Sequence, residues 1–334
     1  MKGLVVTGPN EMSIKEIPYP KLQKDTAIVQ VDYTLMCSSD VKLLNGDYHG
    51  LKYPHTPGHE FSGTVVESYH KENVGKRVVV DTLMPCKQCE FCRRGQTNLC
   101  EHLAEIGDNR PGSFAEYVLV REENMYEIPE NTTTKAASLI EPLAVALNAI
   151  NRANIRGHES VTVLGAGVIG LLIINTLKHN KIPFIRAIEM VDYRLKLAKQ
   201  MGADETILVN EKNINSVLEN TQQTDIVFDA TGNPEGFNHA ITIVKPAGTI
   251  SYVSYPGEVK TLIKPSQITL KALNIFGVLS PFATWNEAIA LFRDGAIKTN
   301  LLITHETKLE NFAFVKKIME NKEDNVIRAA MTLR

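Results

Sequence analysis

Val161-Thr162-Val163-Leu164-Gly165-Ala166-Gly167-Val168-Ile169-Gly170, continued by Leu171-Leu172-Ile173-Ile174, is the stretch that decides the fold. A β-prone apolar run enters G-x-G-x-x-G, and the last glycine opens into an apolar helix. Glycines alone say little; here a tight turn, a close pyrophosphate approach and a helix N-terminus all share one context. The pattern implies a dinucleotide held at Gly165, Gly167, Val168, Ile169 and Gly170. A second strand, Phe184 to Glu189, should end about 20 residues on in an acid that holds the ribose hydroxyls. Glu189 fits that place better than Asp192, which is left to cap the next helix. Arg194, in that helix, joins the cofactor set. No cation follows Glu189 at once, so a 2′-phosphate would meet a carboxylate, and NAD is expected over NADP.

Strand-like runs continue downstream at Glu205 to Val209, Thr224 to Ala230, Gly248 to Val253 and Leu273 to Leu279, alternating with helical spans. That rhythm predicts a doubly wound parallel sheet, and Phe228-Asp229-Ala230-Thr231-Gly232 leaves it at the carboxyl edge, where ligands bind. Upstream, short β-rich runs are punctuated by Gly8-Pro9-Asn10 and Pro18-Tyr19-Pro20, which predicts a barrel-like antiparallel domain. After Ser280-Pro281 two amphipathic helices should return the chain to that first domain. The expected division is a catalytic domain over 1–142, a cofactor domain over 143–280 and a return over 281–334. At 334 residues, two domains is the natural prior.

Charge narrows the partners. Lys plus Arg (36) nearly cancel Asp plus Glu (38), leaving −2, so nothing favours nucleic acid or an anionic membrane. The longest apolar stretch is glycine-broken and too short to span a bilayer, and the N-terminus turns polar too early for a signal peptide. A cytoplasmic protein is expected.

The five cysteines carry the metal chemistry. Cys86, Cys89, Cys92 and Cys100 form C-x2-C-x2-C-x7-C in a polar lobe, about 84–102. Four thiolates from one short lobe suit a closed tetrahedral zinc better than an iron-sulfur cluster, whose ferredoxin-type run has a shorter last gap and a following proline. Cys37 stands apart. His59 and Glu60 lie side by side in Gly58-His59-Glu60-Phe61-Ser62-Gly63, and Glu141 sits beside Pro142 among apolar residues, where an unpaired charge is costly. A metal or an arginine would satisfy Glu141.

Together Cys37-Ser38-Ser39-Asp40, Gly58-His59-Glu60, the cysteine lobe, Gly112-Ser113-Phe114-Ala115-Glu116-Tyr117, Ile140-Glu141-Pro142 and the glycine fingerprint resemble the zinc-dependent medium-chain dehydrogenase/reductase family. The likeness is greatest to sorbitol, galactitol-phosphate and butanediol dehydrogenases, with Gly46-Asp47-Tyr48-His49-Gly50 also similar to cyclitol-type deoxy-scyllo-inosamine dehydrogenases. The resemblance implies a GroES-like β-barrel catalytic domain joined to a Rossmann cofactor domain, with two zincs and NAD. It implies that Cys37 and His59 ligate a catalytic zinc, that Glu60 and Glu141 ligate it or alternate with water, and that Ser39 takes the proton from the alcohol. Asp40 would orient the ligating histidine. Thr231 and the Leu279 backbone would line the nicotinamide, Arg328 would face the pyrophosphate, and Tyr48, His49 and Phe114 are substrate-pocket candidates. Lys42 departs from the family: relatives resembling liver alcohol dehydrogenase end the proton relay there in histidine. The implied activity is oxidation of a secondary alcohol of a polyol, sugar phosphate or cyclitol, with threonine and butanediol as alternatives and a homodimer or homotetramer as the assembly. A non-catalytic dinucleotide-binding protein is the reading from another class; five polar groups converging from distant segments argue against it.

Overall fold

Val161-Thr162-Val163-Leu164 is buried on both faces because parallel strands are covered by helices on either side. In the computed structural model, which describes residues 1–47, 52–257 and 259–333, this segment is the strand Ser160–Leu164 at the centre of a six-stranded parallel sheet. The order is Glu205–Leu208, Phe184–Glu189, Ser160–Leu164, Thr224–Asp229, Val244–Tyr252, Asn274–Gly277. The chain runs outward from Ser160–Leu164 on one side, then crosses to Thr224–Asp229 on the other. The strand order therefore reverses between those two, which makes their carboxyl ends the switch point where ligands bind in open sheets. Leu164, Ile188, Val227, Ile241 and Ile250 pack one of the cores of this unit.

The other unit is built on the strand Thr26–Leu35, which pairs antiparallel with Glu60–Ser68, with Tyr117–Arg121 and with Arg328–Thr332. Its seven-stranded sheet runs Ile303–Lys308, Arg328–Thr332, Thr26–Leu35, Glu60–Ser68, Arg77–Val80, Met125–Glu127, with Tyr117–Arg121 off this path beside Thr26–Leu35, the mostly antiparallel barrel-like sheet that the punctuation of the sequence predicts. The two units comprise Met1–Glu141, Trp285–Asp294 and Thr299–Arg334, and Pro142–Thr284 with Gly295–Lys298. The short excursion Gly295–Lys298 has no sequence signal; it is held by Asn175, whose Nδ2 donates to Ala296 O at 3.2 Å and whose Oδ1 accepts from Lys298 N at 2.9 Å.

Ahead of the parallel sheet come two separate helices, Thr134–Ala137 and Ile140–Ala153, and Thr133 caps the first by accepting from Ala136 N at 3.1 Å. One expectation shifts locally. Asp192 does not cap its helix. Val191 is the N-cap, and Asp192 is the first helical residue, 2.6 Å from Lys196 one turn on.

Candidate metal centre and dinucleotide cradle

Cys37 and Asp40 lie at the start of the helix Ser38–Asn45, where Asp40 Oδ2 accepts the Cys37 N–H at 2.7 Å and pins the cysteine. His59 precedes the strand Glu60–Ser68. The residue before it, Gly58, has φ +103°, and a Cβ there would meet Phe114 Cδ1 at 2.6 Å and Phe114 N at 2.8 Å, so only glycine lets the chain enter the strand at this angle. Cys37, His59 and Glu60 bring ligand atoms within 4.8 Å of one another. The other oxygen of Asp40 lies 3.4 Å from His59 Nδ1, which leaves Nε2 as the ligating nitrogen and fixes the ring. Burial opposes a charge on His59, yet Asp40 and Cys37 outweigh it and hold its pKa well above the usual value. A metal would take the place of that proton. Ser39 stands half-buried on the first turn of the same helix.

Arg328 corrects one expectation. The resemblance implies that it faces the pyrophosphate; instead it is 3% exposed on the strand Arg328–Thr332 and forms a two-pronged ion pair with Glu60, Nη2 to Oε1 at 2.7 Å and Nε to Oε2 at 3.0 Å. Its Nη2 also lies 3.4 Å from Cys37 Sγ. The reason is burial: a guanidinium inside a β-sheet needs a carboxylate, and Glu60, itself 1% exposed, needs a cation. Burial works against the charge on Arg328, but Glu60 and Cys37 raise its pKa further than burial lowers it.

Glu141 lies outside the group of ligand atoms that converge within 4.8 Å. It is buried at the start of the helix Ile140–Ala153, and burial pushes it up to about 8, with Glu60 and Glu105 adding and His59 and Arg328 opposing. Glu105 is the group the sequence reading missed. Burial lifts it to about 7 against the pull of His59, and its only signal in the sequence was a carboxylate beside Ile106-Gly107. Burial likewise lowers the pKa of Lys42, with Asp47 and Cys37 opposing.

Phe114 is a second correction. It is fully buried in a core with Leu4, Val6, Met36 and Leu44, so the ring is packing beneath Gly58 rather than a substrate contact. Tyr48 and His49 lie outside the described residues.

The cysteine lobe has the geometry of a closed zinc site. Cys86 and Cys92 sulfurs are 4.0 Å apart and those of Cys89 and Cys100 are 3.9 Å apart, while four bonds of about 2.3 Å set tetrahedral sulfurs roughly 3.8 Å apart. Backbone donors point at the sulfurs, with Cys86 N 3.2 Å and His102 N 3.4 Å from Cys100 Sγ. The Cys92 N–H helps draw the Cys89 thiol down to about 6, which favours the thiolate a metal needs. A third convergence, Asp25, His70 and Glu122, is on the surface. There His70 Nδ1 is 2.5 Å from Glu122 Oε2 and His70 N donates to Oε1 at 2.7 Å, so His70 and Glu122 form a hydrogen-bonded pair.

In the second unit the fingerprint is shaped for a pyrophosphate. Gly165 has φ +87°, and a Cβ on Gly170 would lie 1.9 Å from Gly165 O; at Gly167 the space is open. Val168 and Ile169 begin the helix Val168–His179 with Gly167 as its N-cap, so free backbone N–H groups face the turn. Glu189 ends its strand beside this turn. Its Oε2 accepts Ala166 N at 2.7 Å and its Oε1 accepts Met190 N at 2.6 Å and Val191 N at 3.1 Å, which fixes a carboxylate at the fingerprint. Arg194 Nε donates to Tyr193 Oη at 3.0 Å. Thr231 leaves the strand Thr224–Asp229 against Gly165, where an added Cβ would come within 3.0 Å of Thr231 Cα. Leu279 is half-exposed, and its carbonyl lies 3.4 Å from Asn148 Nδ2.

Comparison with known proteins agrees with both halves. Residues 23–130 match the family model of the alcohol dehydrogenase GroES-like domain, and residues 168–294 match that of the zinc-binding dehydrogenases. A sorbitol dehydrogenase of Halalkalibacterium halodurans is 32% identical over 317 residues, 92% of each chain. An L-threonine 3-dehydrogenase of Bacillus subtilis is 30% identical over 310 residues, 90% of this chain and 89% of that one. Among solved structures, the alcohol dehydrogenase rspB of Escherichia coli CFT073, complexed with NADH, superposes with a TM-score of 0.93 at 29% identity, covering 100% of this chain and 99% of that one.

Proposed function

This chain belongs to the zinc-binding alcohol dehydrogenases with a GroES-like domain, and from that premise we propose that it oxidises a secondary alcohol of a polyol, sugar phosphate or cyclitol with NAD as hydride acceptor. The observation that carries the reading is the convergence of Cys37, His59 and Glu60 within 4.8 Å, with Asp40 behind the histidine. A thiolate, an imidazole and a carboxylate that leave further positions open are the donor set of a catalytic zinc site, as four cysteines are of a structural one. When bound, zinc supplies a Lewis acid and NAD a hydride acceptor.

The residues of the chain do the rest. Asp40 holds both Cys37 and His59, so the two ligands are placed before a metal arrives. Arg328 holds the Glu60 carboxyl group in place through two hydrogen bonds. Ser39, two residues from Cys37, accepts the proton from the substrate hydroxyl. With lysine at position 42 the relay ends at Glu60, His49 or solvent rather than at a histidine of that helix. Glu189 discriminates between cofactors: its fixed carboxylate accepts ribose hydroxyls and repels a 2′-phosphate, which supports NAD over NADP.

A relative named for L-threonine supports threonine 3-dehydrogenation as a second reading. A homodimer or homotetramer belongs to the same proposal. Asn274–Gly277 is an edge strand, and Leu262 (93% exposed) and Leu270 (83% exposed) precede it as apolar surface that a second copy would cover. A cytoplasmic location fits thiolates kept reduced for metal, and no described helix is long and apolar enough to cross a membrane.

The test pairs metal content with turnover. Wild type and Cys37→Ser are analysed for zinc and assayed with polyols, a sugar phosphate, a cyclitol and threonine, each with NAD and NADP. Two zincs falling to one, with NAD-dependent turnover lost, is the expected result. One zinc in both proteins and no turnover on any substrate would favour the non-catalytic dinucleotide-binding alternative.

A further inference from the structure

Asp229 is fully buried at the last position of the strand Thr224–Asp229, and no part of the chemistry above uses it. One of its oxygens gathers three donors. Oδ1 accepts Thr231 N at 3.0 Å, Thr231 Oγ1 at 2.7 Å and Ser254 Oγ at 2.9 Å. Both hydroxyls are then tied from the other side: Ser254 Oγ accepts Gly232 N at 2.9 Å, and Thr231 Oγ1 accepts Asn233 N at 3.1 Å. The turn Thr231-Gly232-Asn233 is thus held by one carboxylate through two hydroxyls. The second oxygen, Oδ2, is buried without a hydrogen-bond partner among the described residues. It lies against the first residue of the helix Gly236–Ile243, where a Cβ on Gly236 would come within 2.5 Å of it. The positive end of that helix offsets part of the cost of a buried carboxylate.

The place of this turn in the sheet gives it a purpose. Glu189 ends the strand on one side of Ser160–Leu164, and Asp229 ends the strand on the other. A dinucleotide with its adenosine ribose at Glu189 and its pyrophosphate at the turn Gly165 to Gly170 has its far half over the end of Thr224–Asp229. That half carries the nicotinamide, and what lies there is Thr231, packed directly against Gly165.

We infer that Asp229 is a positioning residue for the nicotinamide half of the cofactor, acting through the Thr231 and Ser254 hydroxyls that it locks. The inference rests on the NAD reading above. A turn that only terminated the strand would need no buried carboxylate, since backbone bonds and glycine suffice.

The test compares NADH with ADP-ribose, which keeps the adenosine and pyrophosphate contacts and lacks the nicotinamide. In Asp229→Ala, NADH affinity should fall by about tenfold or more while ADP-ribose affinity stays within about twofold. Asp229→Asn retains an acceptor oxygen for Thr231 and Ser254 and should recover most of the NADH affinity. Should Asp229→Ala fail to fold, Ser254→Ala and Thr231→Val each remove one donor to the same carboxylate, and each should weaken NADH by about threefold without affecting ADP-ribose. Equal loss of both ligands would mean a purely structural turn, and unchanged NADH binding in every variant would likewise overturn the inference. Wild-type protein that binds neither ligand would instead refute the dinucleotide reading itself.

Discussion

Arg328→Leu is the perturbation whose size the structure fixes best. The guanidinium and the Glu60 carboxylate are 3% and 1% exposed and joined by two bonds of 2.7 and 3.0 Å. Leucine fills much of the space but leaves the Glu60 carboxyl group out of water without its partner. Removing one partner of such a pair costs about 3–5 kcal/mol, a factor of roughly 10²–10⁴ in the unfolding equilibrium. The chain has a single tryptophan, Trp285, 3% exposed and in the same unit as Arg328. Its fluorescence in guanidinium therefore reports the affected unit, and the midpoint should drop by roughly 1 M. Glu60→Gln alone should also destabilise, by leaving Arg328 unpaired. The double variant removes both charges, so it should be more stable than Arg328→Leu alone, with a coupling of at least about 1 kcal/mol. A double variant that loses the full sum of the two single losses would refute the idea that these residues form one electrostatic unit.

Two further outcomes follow from the metal lobe and the surface pair. Cys89→Ser should remove one zinc per chain and make the cysteine lobe susceptible to proteolysis, while Cys37 still retains its metal; zinc analysis and limited digestion check this. For His70 and Glu122, the hydrogen bonds hold Glu122 down to about 2 from 4.5 against burial, and its bond to Glu122 raises His70 above 6.5. The stability difference between wild type and His70→Asn should then be greatest from about pH 4.5 to 6.5. It should fade as Glu122 protonates below that window and as His70 loses its proton above it; a difference independent of pH would contradict the pairing.

Much of the fold was legible because its determinants are local. The glycine fingerprint dictates a turn, and its apolar flanks dictate a covered parallel strand, so the sheet could be read from Val161 outward. The clustering of the four cysteines and the place of Glu189 at its strand end were legible for the same reason. Arg328 was not, because its partner lies 268 residues away. Yet Val326-Ile327-Arg328-Ala329-Ala330-Met331 held a warning, a lone charge in an apolar run, the same sign that marked Glu141. Phe114 misled because an aromatic residue in a glycine-rich loop looks alike from the sequence whether it packs or contacts ligand; only the close approach of Gly58 decides. Asp229 was legible as part of the ligand-binding edge of the sheet but not for what it holds, since nothing in Phe228-Asp229-Ala230-Thr231 shows that three donors meet on one oxygen.

The ion pair that joins residues so far apart in sequence also sets an order of events during synthesis. At about 5–20 residues per second, Arg328 leaves the ribosome roughly 10–50 s after Glu60. In that interval all of Pro142–Thr284 emerges and has time to fold as a unit. Cys37, His59 and Glu60 meanwhile lack both their cation and the strand Arg328–Thr332 that pairs with Thr26–Leu35. Nascent chains thus carry a finished nucleotide cradle before a finished metal centre, and a chain that stops short of Arg328 never completes the charge balance there.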